Sequence, residues 1–417
     1  MKTVLQAVLL PCLLVGVGAD WTTKIKVVRN PAYKLDIVDI LANETMAKVE
    51  AYLERKAAAG KNNGCTLDTV TVRREWSDMS NAEREEYVAA VTCLMKRPSQ
   101  APKSKFPGAL NRFDDFVAYH MSHAAELHDT IHLFPAHKQF VWAYEQALRN
   151  ECGYTGYQPY MNYDRYAEDP IHSPMFNGNS SSMGGNGAPD PNYKGIPQGG
   201  RTPNIIKSGG GGGCVTEGPF KDMVVSLGPT SMSPIRGLPK NPKSDGTGSN
   251  PRCLRRDVNR NAALGATAKH AYSLITSNSD INGFYNQILG TPPPKNDPYP
   301  WGIHTAGHYI HAHDPGADPA TSPGDPVFYF HHGSVDRLWW IWQMQDPEAR
   351  LNQVPNFSTG GGHTGHGRRS VMGKRQGGTM DPNKAVIDLE WLAPSIPLME
   401  AHDQLGGANG QFCYVYI

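Results

Sequence analysis

Imidazole is the group in this chain with the most chemistry to offer. The sequence holds 16 histidines among 417 residues. His120, His123, His128, His132 and His137 crowd residues 120–137, and His304, His308, His311, His313, His331 and His332 crowd residues 304–332. A lone histidine is ordinarily a satisfied core or surface residue. Two dense clusters, each beside an aromatic helical run, form a metal-site pattern, because neutral imidazole is a common ligand of transition-metal ions. In "HTAGH", His304 and His308 stand four apart, which on a helix puts both rings on one face. Downstream, "DPVFYFHHGSVDRLWWIWQ" (Asp325 to Gln343) sets His331 and His332 side by side. A metal-bound imidazole commonly gives its second N–H to a carboxylate. Four residues after His332 comes Asp336; four after His331 comes Val335. The spacing predicts His332 as the third ligand, Asp336 as its orienter, and His331 as a packed neighbour that points elsewhere.

The first cluster is less determined. All five of its histidines are candidates, with Glu126 and Asp129 as local hydrogen-bond partners. Along an unbroken helix His120 and His128 would lie about 12 Å apart, too far to share an ion, so the chain must leave the helix between them. Two ions held by three neutral imidazoles each point to copper. Imidazole-only ligation favours borderline metals and copper binds such sites more tightly than zinc, whereas iron, manganese or magnesium would call for carboxylates. A pair of coppers suits dioxygen chemistry, since each supplies one electron.

Helices must position these rings. Residues 36–60 read helical on Ile37, Ile40, Leu41, Met46, Val49 and Leu53. A second helix is expected over 77–96, starting at Ser77 or Asp78, with Tyr87, Val88, Val91 and Leu94 as its apolar stripe. Further helices are expected over 111–121, over 136–150 with Cys152-Gly153 as the stop, over 257–275, over 302–312, and after Pro326. From about 160 to 260 the periodicity dissolves into Gly-, Pro- and Asn-rich turns, read as a long surface excursion too poor in apolar residues for its own core. A second Gly-rich loop, 359–379, holds Arg368-Arg369 and Lys374-Arg375; it reads as an exposed polar loop, with processing at the basic pairs as the alternative. The sum is one mainly α domain with long irregular loops.

The composition narrows the partners. A net charge of +1 gives no footprint for nucleic acid. The opening "MKTVLQAVLLPCLLVGVGADW" reads as a secretory signal peptide over 1–19, cut after Ala19. A membrane anchor fits less well, because the apolar run is shorter than the roughly 20 residues a span needs and Pro11 and glycines break it. No other segment could span a membrane. The mature domain is then 20–417, secreted, with six cysteines left for disulfides once Cys12 departs. Sequons at Asn43, Asn179 and Asn356 suit a secreted glycoprotein.

The two His-rich stretches resemble the type-3 copper proteins: tyrosinases, catechol oxidases and haemocyanins. "DPVFYFHHGSVDRLWWIWQ" is similar to the family's second-copper signature, and "HLFPAHKQFVWAYEQALR" to its first-copper segment, in which one ligand lies nine positions before another. The resemblance implies His120, His128 and His137 on the first copper, with His132 a non-ligand, and His304, His308 and His332 on the second. It implies a four-helix bundle around a dicopper centre. "CYVYI" resembles the family's Tyr-x-Tyr ending, commonly met by an Arg, here Arg73 or Arg74. That proximity predicts a Cys65–Cys413 disulfide; Cys214 with Cys253 would close the long loop. The likeness is closest to short fungal catechol oxidase-like members. Departures are Glu126 where many fungal tyrosinases have a thioether-linked Cys, Ala136 and Lys138 around the third ligand, "PYMNY" at 159–163, and Thr305 where strong monophenol hydroxylases often have Asn.

The expectation is therefore a secreted dicopper phenol oxidase using O2 to turn o-diphenols into o-quinones, with weaker hydroxylation of monophenols. Thr305 and Tyr309 are expected to face substrate, and Pro319 to narrow the entrance. An o-aminophenol oxidase and a haemocyanin-like oxygen carrier share the same ligands and are the alternatives.

Overall fold

The structure, a computed structural model, describes residues 28–199, 201–356 and 381–417. The signal segment, the loop 359–379 and the Phe357-Ser358 half of the third sequon lie outside those residues. The framework is helical. Helix α1 (Ile37–Ala58) is capped by the Asp36 carboxylate, which accepts from the Val38 and Asp39 amides. It buries the stripe Val38, Ala42, Met46, Val49 and Leu53. Helix α2 spans Asn81–Leu94. It starts later than the periodicity predicts because Ser80 and Glu83 form a reciprocal capping box, while Trp76–Asp78 make a separate 3-10 turn. Helix α3 (Arg112–Leu127) runs beyond the expected 121, and α4 (Leu133–Cys152) ends at Gly153, whose φ of 71° closes the helix in the left-handed region.

The helix expected over 257–275 is broken into Arg260–Ala263, a 3-10 turn at Leu264–Ala266, and α5 (Ala268–Thr276). Asp257–Val258 is a strand paired with His311–Ala312, and Asn259 caps the short helix at Arg260–Ala263. Helix α6 (Ile281–Ile288) has no counterpart in the expectations. Helices α7 (Ile303–Ile310) and α8 (Val327–Gln345) fall where the spacing puts them.

Helices α3, α4, α7 and α8 form the bundle, with α8 innermost. Every residue of α8 from Val327 to Met344 is buried, so its aromatic run needs no polar face. A small sheet of β1 (Thr71–Arg73), β2 (Leu405–Gly407) and β3 (Phe412–Tyr416) closes one side. β3 lies in the middle, parallel to β1 with Arg73 opposite Tyr416, and antiparallel to β2. The predicted Cys65–Cys413 and Cys214–Cys253 disulfides are present, with Cys93–Cys152 as the third.

The 160–260 excursion is more than surface. Met175, Phe176, Met183, Ile196, Ile206, Val215 and Phe220 all join the single core. Short two-stranded ladders supply its backbone pairing. Its anchor is Arg256, fully buried, which clasps Asp325 at 2.9 and 2.8 Å and donates to the Met183 and Gly185 carbonyls. Burial alone would raise the Asp325 carboxyl; Arg256 and His311 outweigh it and hold it below the ordinary carboxylate range. Removing one partner strands the other as a buried charge. Asp325→Ala should lower the unfolding free energy by about 3–5 kcal/mol. Urea unfolding measures this, and a loss under about 1 kcal/mol, as for an exposed pair, would show that the clasp does not anchor the excursion.

Candidate dicopper centre

The first set is built at the junction of α3 and α4. His120 sits in the later turns of α3, fully buried, with Nδ1 2.8 Å from the Ala320 carbonyl oxygen. His128 comes directly after the last residue of α3 and is extended (φ −112°, ψ 150°), so the chain does leave the helix between the two. This break swings the His128 ring to within 5.2 Å of His120, centroid to centroid, with its Nδ1 2.8 Å from Ala124 O. His137 lies in the first turns of α4, Nδ1 2.7 Å from Leu133 O, its ring 5.5 and 5.2 Å from the other two. A carbonyl only accepts, so each Nδ1 carries the proton and each Nε2 keeps a free lone pair. Each of the three rings brings a ligand atom within 4.8 Å of the others. His123 and His132 stand outside the set: His123 turns to Tyr119 O and Glu390, and His132 precedes α4.

The second set joins α7 to α8. His304 and His308 lie one turn apart, edge to face at 82° with 4.7 Å between rings, and His332 approaches them at 5.5 and 5.2 Å. The two sets touch: His137 and His332 are stacked at 4.1 Å and 6°, and His128 lies 6.2 Å from His304. Phe328, one turn before His332, packs on His120, His308 and His332 and forms the apolar floor.

Two expectations need correction. His331 does not point elsewhere; its ring is 4.3 Å from His308 and 5.4 Å from His304, and it belongs to the same four-imidazole group as His332. Asp336 does not orient His332, neither of whose nitrogens has a hydrogen-bond partner among the described residues. The Asp336 carboxylate instead accepts from the hydroxyls of Tyr414 and Tyr416 at 2.7 and 2.6 Å and lies 3.6 Å from both Arg73 and Lys138. The i+4 rule found a carboxylate one turn from the ligand, but strand β3 had already claimed it. Arg73, not Arg74, meets the tyrosines: it donates to Tyr416 and stacks on the Tyr414 ring at 3.8 Å.

Thr305 lies partly exposed on α7, beside partly exposed His308. Tyr309 is buried, its hydroxyl turned towards Gln198 and Arg201 of the hairpin 195–207, and Pro319 is half-buried. Sequence reasoning missed Phe328, Tyr163 and Gly307. Gly307 was detectable, as a glycine inside a helix between two ligand positions: a Cβ there would fall 2.1 Å from His331 Nδ1.

Burial, then neighbouring imidazoles, push the ring pKa values down, to about 3 for His120 and His304 and well below 6.5 for His137, His308, His331 and His332. The rings are therefore neutral at ordinary pH. Buried lone pairs and donor sets without a carboxylate fit one copper ion in each set, and in the first set the tautomers are pinned as well.

The common central domain of tyrosinase matches residues 110–345, more than half of the chain. The chain belongs to the tyrosinase family. It is 39% identical over 322 residues to the tyrosinase-like protein orsC of Emericella nidulans, covering 74% of this chain and 82% of that one. It is 36% identical over 297 residues to tyrosinase P of Aspergillus terreus, covering 70% and 81%. Among solved structures, a variant polyphenol oxidase from Thermothelomyces thermophila superposes with a TM-score of 0.77 at 33% identity, covering 90% of this chain and 97% of that one. This tyrosinase-family chain is a copper-dependent oxidoreductase with the family's helical bundle.

Its buried imidazoles make stability depend on pH. Their folded pKa values are lowered, so the unfolded chain binds more protons below its own histidine pKa of about 6.5. Stability is then complete above that pH and is lost as pH falls towards about 3, where His120 and His304 titrate. The urea midpoint of copper-free protein should fall steadily between those limits; a midpoint unchanged down to pH 4 would contradict neutral buried rings.

Proposed function

We propose that this protein is a secreted phenol oxidase that uses O2 to convert o-diphenols to o-quinones and hydroxylates monophenols only weakly. The observation that carries the reading is the contact between two all-imidazole sets through the stacked His137 and His332. Copper would be held by His120, His128 and His137 in one set and by His304, His308 and His332 in the other. Bound there, the pair supplies electrons to dioxygen and recovers them from the phenol.

The chain's own residues set access and proton traffic. His128 and His308 are the partly exposed members of the two sets, and Thr305 is the i−3 neighbour of His308 on α7. A phenol ring entering on that side passes Thr305, whose hydroxyl accepts a hydrogen bond but orients water differently from an amide. Phe328 supports the rings from below and keeps water out of that side. A monophenol needs a base for its phenolic proton before it is hydroxylated. Asp297 is the only acidic residue between Asp280 and His304. It is engaged elsewhere, accepting from the Tyr299 amide at 2.8 Å and pairing with His270 at 2.9 Å. An o-diphenol is more acidic and already carries both oxygens, so it depends less on such a base.

Relatives named tyrosinase and polyphenol oxidase support a phenolic substrate. Three disulfides support passage through an oxidising compartment. No helix among the described residues is long and apolar enough to cross a membrane.

Oxygen uptake with catechol, o-aminophenol and a monophenol, on protein with measured copper content, tests the reading. About two coppers per chain and fast catechol turnover are expected, with a slow, lagging monophenol reaction. Replacing His304 and His308 together by Ala should leave about one copper. Thr305→Asn should raise the monophenol-to-diphenol rate ratio roughly two- to tenfold, the range of one repositioned hydrogen bond. Fast monophenol turnover by the unmodified protein, or an unchanged ratio in Thr305→Asn, rejects the role given to Thr305.

A further inference from the structure

The second imidazole set has one ring more than a three-ligand site needs, and the extra ring is the better prepared of the two neighbours on α8. The Tyr163 hydroxyl lies 3.0 Å from the His331 carbonyl oxygen and 2.7 Å from His331 Nδ1. A hydroxyl has one proton, and the carbonyl can only accept it. The Nδ1 contact is therefore an N–H donated to the tyrosine oxygen. This fixes the tautomer and leaves the His331 Nε2 lone pair free, buried and without a hydrogen-bond partner among the described residues. It is the same arrangement that backbone carbonyls give His120, His128 and His137 in the first set. His332 has no such support on either nitrogen. The seat is also shaped for the His331 ring, because Gly307 leaves open the volume that a Cβ would fill.

We propose that His331 is a standby donor to the second metal, held ready by Tyr163, so that loss of His332 does not empty the site. The inference rests on the reading of this set as a copper site. Adjacent helix positions are about 100° apart, so His331 and His332 approach the His304–His308 pair from different sides. Either one completes a three-imidazole set with that pair. Tyr163 itself is a positioning residue: it touches no metal and acts only through His331.

Copper stoichiometry after dialysis against a weak chelator provides the test, with chelator competition for affinity. The full chain and His331→Ala should each retain about two coppers; His332→Ala should also retain about two, the second held roughly 10–100-fold more weakly; the double variant should retain about one. Adding Tyr163→Phe to His332→Ala should weaken the second copper by roughly a further 10–100-fold, whereas a merely structural tyrosine would leave chelator competition unchanged. One copper in His332→Ala, matching the double variant, overturns the proposal, because the retained first copper shows that the chain is folded. Should His332→Ala lose both coppers, the bulkier His332→Leu is counted in its place by the same criteria. An unmodified chain with two coppers and catechol turnover, but a His332 variant with one, removes the standby donor and leaves the phenol-oxidase reading standing. An unmodified chain without two coppers rejects both.

Discussion

A helix enclosed on every side cannot leave its polar groups to water, and that constraint on α8 organises the molecule. Several polar side chains along it are held by different parts of the chain, while the His332 ring nitrogens are left without a hydrogen-bond partner among the described residues. Ser334 bonds both the carbonyl and the amide of Met161; Arg337 reaches Asp39 on α1 at 2.8 Å; Gln343 donates to the His402 carbonyl. Asp336 takes the two tyrosines of β3, and the Trp342 indole donates to Asn278 after α5. An unsatisfied polar group at such depth costs about 1–3 kcal/mol, so the helix is fixed in rotation and height by contacts from all around it. The histidines it carries inherit that fixity.

The tautomers of the first three ligands are set by the main chain itself. In the first set the three partners are backbone carbonyls, so ring orientation depends on the path of the backbone and needs no dedicated side chain. The break after Leu127 and the start of α4 at Leu133 are therefore part of the metal site, since they decide which carbonyls face which rings. The excursion 160–260 contributes as well. Its clasp from Arg256 to Asp325 holds the residue two places before α8, and its strand Asp257–Val258 pairs with the residues directly after α7.

Much of the site was legible in the sequence because it is written in local spacing. The His304–His308 pair, the necessary break between His120 and His128, and the helices that bear the ligands all derive from a 3.6-residue period. Non-local competition was not legible. Asp336 stands at the ideal distance from His332, yet its partners are 78 and 80 residues away along the chain. The start of α2 was misplaced for a local reason, a capping box a few residues beyond the first plausible cap. The segment 257–275 reads as one helix because its apolar pattern is continuous, while strand pairing with His311–Ala312 pulls its first residues away.

The Asp336–Tyr416 contact also sets an order of assembly. Synthesis delivers all the imidazoles, and the whole of α8, before strand β3 exists. Until residues 414–416 emerge and pair beside Arg73, the carboxylate on α8 has no phenols to receive and must stay hydrated. Strand β3 thus completes the surroundings of a helix that already carries its imidazoles.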